Sequence, residues 1–227
     1  MNKKLLILPI SLLLVSITSC GDNSSLSSNG GNAGYLKDAL ISIASQAKPY
    51  IIRSSTDIFS NGSIVSSTYS NYEVNTETNI KHNYGTKAII NGVEDPSGKD
   101  SKTKAFNIYY TPSKTYTLGD DGKYSIKEEE NTIKVFSIGY NFNYIQDVNG
   151  NDSSFTTSVL KADTASFFTK SISDINSDVT IKGGFKTTDG VTSIDNLEFS
   201  YTTVSSYTCK ITINYEYLMP NISLPTV

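Results

Sequence analysis

The hydrophobic positions of this chain change their spacing several times, and each change marks a boundary. Leu5 to Val15 reads Leu-Leu-Ile-Leu-Pro-Ile-Ser-Leu-Leu-Leu-Val, an almost unbroken apolar run. Gly21 to Gly34 (GDNSSLSSNGGNAG) then carries one large apolar residue, Leu26. Between Tyr35 and Lys48, residues Leu36, Leu40, Ile43, Ala44 and Ala47 recur at three- and four-residue intervals. That spacing predicts a helix, with Pro49 as its stop. From Tyr50 onward the interval falls to two, the period of half-buried strands.

Ile52, Ser54, Thr56 and Ile58 alternate with Arg53, Ser55 and Asp57, and Asn61-Gly62 follows as a hairpin turn. Ile64 to Thr68 returns, and Tyr72, Val74, Thr76 and Thr78 continue the alternation. Lys87 to Val93 reads as a short strand and Glu94 to Lys104 as a polar loop. Ala105 to Thr111, Thr115 to Leu118 and Tyr124 to Ile126 are strand-like, parted by Pro112-Ser113 and Asp120-Asp121-Gly122. Val135 to Ile145 is aromatic and β-branched, and Asp147 to Asp152 reads as a turn. Thr164 to Asn176 predicts a second helix, with Phe167, Phe168, Ile172 and Ile175 as its apolar residues and Thr164 as its N-cap.

The last third has the cleanest pattern. Val179, Ile181, Gly183 and Phe185 share a face, Thr188-Asp189-Gly190 turns, and Leu197, Phe199 and Tyr201 alternate with polar residues. Tyr207, Cys209, Ile211, Ile213, Tyr215 and Tyr217 then line one face of a strand, opposite Thr208, Lys210, Thr212, Asn214 and Glu216. One packed face and one wet face are what an antiparallel sheet shows.

Composition narrows the possibilities. The 227 residues are 37% hydrophobic and 18% charged, both low for a folded protein. Ser, Thr and Asn fill the gap. The 15 tyrosines and 9 phenylalanines argue against disorder, because disordered chains are poor in aromatics. A net charge of -3 and a single arginine, Arg53, leave no basic stripe, so nucleic acid is not an expected partner.

The N-terminus changes the picture most. Lys3 and Lys4 precede the apolar run, and small polar residues follow it up to Cys20, the three-part order of a secretory signal. The run is about half the length that a membrane-spanning helix needs, about 20 residues. Its end, Ile17-Thr18-Ser19-Cys20, resembles the bacterial lipobox, with Ile17 where Leu is usual. The resemblance implies cleavage between Ser19 and Cys20 and acylation of the Cys20 thiol. The expected layout is a signal peptide over 1–19, the lipidated cysteine and a flexible tether over 20–34, and one domain over 35–227. With Cys20 consumed by lipid, Cys209 has no disulfide partner and is expected as a buried thiol.

Catalytic chemistry is hard to assemble from what remains. His82 is the only histidine and sits in a polar stretch, which predicts a surface position. One histidine makes His-rich zinc sites and Ser-His or Cys-His catalysis poor readings. Asp147-Val148-Asn149-Gly150-Asn151-Asp152 has calcium-loop character, but its glycine is misplaced and no closing glutamate follows. Glu128-Glu129-Glu130 reads as a solvated charge run. The tyrosine-rich strands could grip sugars, although tyrosine also suits half-buried strands. No enzyme, cofactor or metal is expected.

In layout the chain resembles the LolA-like and LppX-like lipoprotein carriers. The points of contact are Tyr35-Leu36-Lys37-Asp38-Ala39-Leu40, the Pro49-Tyr50-Ile51 entry into strands, Tyr116 to Tyr124 as a hairpin, and the ending Ile211-Thr212-Ile213 before Pro220. The resemblance implies a strongly curved sheet and an acyl chain or similar ligand held between helices and sheet. The poverty in Leu, Val and Met departs from that pattern. The expected fold is therefore α+β and mostly β: a large curved antiparallel sheet with an N-terminal helix and a second short helix packed on one face. A β-sandwich is the alternative. The expected role is that of a lipid-anchored protein on the extracytoplasmic face of a cell membrane, periplasmic or at the cell surface. It would hold a lipid or other apolar ligand against Tyr207, Ile211, Ile213 and Tyr215. The alternative is a surface-displayed interaction or adhesion protein with a solid core.

Overall fold

The computed structural model describes residues 30–89, 102–169 and 174–226. A helix, α1 (Gly30–Gln46), precedes eleven strands: β1 (Ile51–Ser60), β2 (Ser63–Asn75), β3 (Ile80–Ile89), β4 (Lys102–Tyr110), β5 (Lys114–Leu118), β6 (Tyr124–Glu128), β7 (Asn149–Gly150), β8 (Ser154–Val159), β9 (Val179–Thr188), β10 (Val191–Thr202) and β11 (Thr208–Glu216). A four-residue helix, α2 (Thr164–Phe167), lies between β8 and β9. The fold is α+β and mostly β, as expected, and the strands form one open antiparallel sheet, not a sandwich.

The strand order is β6-β5-β4-β3-β2-β1-β11-β10-β9-β8-β7. Two meanders, each wound by neighbour-to-neighbour pairing, meet where the first strand joins the last, with Ile52 opposite Tyr215 and Ser54 opposite Ile213. The Asn61-Gly62 turn forms as expected. Both residues have positive φ, +49° and +80°, the left-handed pair that a two-residue hairpin of matching twist requires.

Register fixes the faces. Ser54, Ile213, Leu197 and Gly183 follow one another across β1, β11, β10 and β9, and Ile52, Tyr215 and Ile181 share their face, the one that meets α1. In β11 the alternation is as expected: Cys209, Ile213 and Tyr215 are buried, while Lys210, Asn214 and Glu216 are exposed. Leu40, Ile43, Ala44 and Ala47 of α1 close over this face with Phe155, Val159, Phe167, Phe168 and Phe199. At Gly183 an added Cβ would collide with the Phe155 ring, so the glycine lets a phenylalanine lie flat over β9.

Three expectations need correcting. Val135 to Ile145, whose aromatic and β-branched composition suits a strand, does not form one. It belongs to a crossing segment, residues 129–148, that carries the chain from one edge strand, β6, to the other, β7. Its backbone bonds to whatever it passes: Phe136 N–H to Pro49 O, Asn141 N–H to Phe167 O, and Gln146 N–H to Ser158 O. Its apolar residues Ile138, Phe142, Ile145 and Val148 are buried, so it reads as a strand by composition while serving as a cover. The second helix stops at Phe167, with Thr169 at φ +55°, and Ile175 instead bridges to Thr203. Ser and Thr favour turns over helix interiors, which explains the early stop. Thr164 does not cap it: Asp163 holds that place, and the Thr164 hydroxyl donates to Lys161 O at 2.9 Å. Finally, β3 begins at Ile80, seven residues before the expected strand. The loop expected at Glu94 to Lys104 lies largely outside the described residues, and residues 102–104 open β4.

Candidate functional site

Two surfaces compete as the site. The first is the apolar face named from the sequence. Ile213 is 5% exposed and Tyr215 4%, and both belong to the core beneath α1. Burial pushes the Tyr215 hydroxyl well above its ordinary pKa. Ile211 is half-buried, and Tyr207 stands just ahead of β11 with its N–H donated to Thr203 Oγ1 at 3.1 Å. Between α1 and the sheet, beside Leu36, Leu40, Val148 and Phe155, the free space is about 30 Å³. That is the room of about one water molecule. The larger hollow lies on the other flank of α1, an open groove of about 460 Å³ bounded by Ile41, Ala44, Ile138, Tyr140 and Phe142.

The second surface is the opposite face of β1 to β4, which carries the densest set of interacting polar and aromatic groups. Register brings it together. Glu73, His82 and Tyr109 stand in line across β2, β3 and β4, and Arg53, Asn71, Tyr84 and Asn107 make the next line. The Arg53 guanidinium donates through Nε to Glu216 Oε1 at 2.7 Å and through Nη1 to Asn71 Oδ1 at 3.1 Å. The Tyr84 hydroxyl donates to Glu73 Oε1 at 3.0 Å. The His82 ring shares a hydrogen with Asn107 Oδ1 through Nε2 at 2.8 Å, and its Nδ1 stands 3.6 Å from Glu73 Oε2. Both faces of the ring are taken: Tyr109 stacks at 4.0 Å and Tyr84 at 4.4 Å between centroids.

The electrostatics follow from these contacts. His82, then the Tyr84 hydroxyl, hold the Glu73 carboxyl below its usual range against the opposing effect of burial. Burial, then the neighbouring Glu73, raise Tyr84. The bond to Glu216 keeps Arg53 charged beyond its already high affinity for protons. The set is a closed cross-strand network. With Nε2 bonded to Asn107, Nδ1 turned toward the Glu73 carboxylate and a tyrosine ring stacked on either side, the His82 ring is held in place by its neighbours.

His82 is thus not the surface residue expected: its side chain is 12% exposed. The signal that could have placed it is the spacing Ile80, His82, Tyr84, which a strand with polar residues on both faces hides. No protein-family model and no curated protein matches the chain. The other candidates resolve simply. Cys209 is a free, buried thiol, raised by burial. Asn151 Oδ1 accepts the backbone N–H groups of Ser153 (2.9 Å) and Ser154 (3.0 Å), so that segment closes as an Asx turn. Glu128 pairs with Lys114 at 3.0 Å and Glu129 with Lys127 at 2.5 Å. Among the described residues no three His, Cys, Asp or Glu side chains converge as metal ligands, and no helix is long and apolar enough to cross a membrane. Ser19 and Cys20 lie outside the described residues.

Proposed function

We propose that this chain is a membrane-anchored lipoprotein of the extracytoplasmic side, held through acyl chains on Cys20, whose domain is a solid-cored interaction module. The anchor half rests on the sequence alone: the charged start, the short apolar run, and Ile17-Thr18-Ser19-Cys20. The observation that carries the other half is the filling of the apolar face. Where a carrier would keep room for an acyl chain, Phe155, Phe199 and Tyr215 of the sheet and Phe167 of α2 pack into one core with α1, and the hollow beside Leu40 and Phe155 measures about 30 Å³. Surface for a partner remains on the uncovered face and the sheet edge.

A second reading keeps the lipid-holding role and moves it to the open groove beside α1, whose volume of about 460 Å³ lies in the range of small-ligand sites. Mass spectrometry of the full chain expressed in a bacterial host separates the two. The interaction reading expects one added mass, that of the acyl groups on Cys20. A further lipid that survives native desorption and is lost in Ile138→Arg would replace it with the second reading. Cys20→Ser tests the anchor, because a serine hydroxyl cannot form the thioether. The variant should leave the acylated membrane fraction, and an unchanged lipid-shifted mass would remove the anchor from the reading.

A further inference from the structure

β6 ends the sheet, with β5 as its one neighbour among the described residues. An edge strand presents a row of backbone donors and acceptors with no partner. Two bonds show which residues aim them outward. Glu129 N–H donates to Ser113 O at 3.1 Å, and Lys123 O accepts from Gly119 N–H at 2.8 Å. Odd-numbered residues here therefore bond toward β5, and Tyr124, Ile126 and Glu128 point their backbone groups off the sheet, since the two directions alternate along a strand.

Set against itself in antiparallel fashion about Ile126, this edge is self-complementary. Tyr124 faces Glu128, Ile126 faces Ile126, and Glu128 faces Tyr124, so each outward residue meets an outward residue. One step further, Lys123 faces Glu129 at both ends, and opposite charges directly across a ladder are favourable. Ile126, a large apolar side chain 46% exposed in one copy, meets its own image on the same face. Neighbouring registers are worse. An axis at Glu128 opposes two Glu128 carboxylates and sets Ile126 against Glu130. An axis at Tyr124 sets Glu128 against Asp120. Charges on an edge strand usually discourage pairing, but these are placed so that one register satisfies them.

We propose that β6 is a self-pairing edge: two copies of this chain join through antiparallel β6 strands about Ile126 and continue the sheet from one molecule into the other. The interface is short, so the dimer is weak and concentration-dependent. It does not depend on the anchor, which would only raise the local concentration.

The test uses the full chain in detergent. Residues facing each other in a hydrogen-bonded antiparallel pair have Cα atoms about 5.5 Å apart, within reach of a disulfide. Ile126→Cys should therefore cross-link to itself under mild oxidation. Ser125→Cys, offset from its copy by two residues, should do so about tenfold less, and the unsubstituted chain not at all. Sedimentation of the otherwise native chain gives a second reading. Ile126→Pro removes an outward N–H and no bond to β5, and should weaken the dimer about tenfold or more. Lys123→Glu should weaken it too, and Lys123→Glu with Glu129→Lys should restore it. A monomer at every concentration, equal cross-linking at positions 125 and 126, or a dimer indifferent to both Ile126→Pro and the charge reversal would each overturn the proposal.

Discussion

On β9 and β10 the side chains that face α1 include Val179, Ile181, Leu197 and Phe199, all fully buried. On β2 and β3 the side chains that face the same way include Ser66, Thr68, Ser70, Lys81 and Asn83. One sheet thus changes its means of cohesion halfway across. The C-terminal strands cohere by burying carbon under a helix and a crossing segment. The N-terminal strands cohere on their other face, where Arg53, Glu73, His82, Tyr84, Asn107 and Tyr109 are tied across four strands. Burial acts through area and tolerates no substitute of smaller volume, whereas cross-strand pairs contribute about 0.2–1 kcal/mol each and add up by number. A chain poor in Leu, Val and Met can afford only one half of the first kind.

The comparison can be broken at its strong end first. Phe199→Ala removes a fully buried ring that packs on Tyr140, Phe167 and Phe168, and should cost about 3–5 kcal/mol. Ile213→Ala should cost about 2–5 kcal/mol. Both should lower the thermal midpoint of the whole molecule; shifts no larger than those of surface variants would mean that the covered half is not the main source of stability.

The polar half responds next, and locally. His82→Ala removes two stacked contacts, each worth about 0.5–1.5 kcal/mol, and should speed amide exchange in β2 to β4 more than in β9 and β10. It should also respond to acid. Glu73 is held below its usual range in the folded state, so the unfolded chain binds that proton more tightly. Its contribution is complete above the ordinary glutamate value, about 4.3, and is lost as pH falls through the lower folded-state value. Glu73→Gln should flatten that part of the stability profile measured by denaturant titration, and an unchanged acid limb would show that other carboxylates set it.

The smallest effect sharpens the register. Thr212 points away from α1 and Ile211 toward it, half-buried. Thr212→Ala should stay within about 0.5 kcal/mol of wild type, and Ile211→Ala should fall between it and Ile213→Ala. Reversal of Thr212 and Ile211 in melting curves would mean a one-residue slip of β11, which would exchange the two faces of the strand.

The same division explains what the amino-acid order reveals. β11 is legible in the sequence because Cys209, Ile213 and Tyr215, which are buried, alternate with Lys210, Asn214 and Glu216, which are exposed, although Thr208, Ile211 and Thr212 are all half-buried. The Asn61-Gly62 turn was readable because its backbone conformation selects those residues. His82 and β3 were not, since a strand polar on both faces carries no hydropathy period. The crossing segment misled for the opposite reason: Ile138, Phe142 and Ile145 are buried like strand residues, but against the sheet and not within it. The expected ligand face of β11 is packed at Ile213 and Tyr215 and half-buried at Tyr207 and Ile211. Whether it holds a guest depends on how closely α1 approaches, and no sequence pattern records that distance.

The join between β1 and β11 has a consequence in time. Each meander forms from hairpins between neighbours, a fast and local process, but the seam pairs the first strand made with the last. Until Thr208 and the residues after it exist and are free to move, β1 keeps a bare edge at what will become the middle of the sheet. The nascent chain therefore carries a bare strand edge until β11 has been made, and that nine-residue strand converts two half-sheets into one. A chain cut short just before β11 loses less than a tenth of its residues and the whole of its unity.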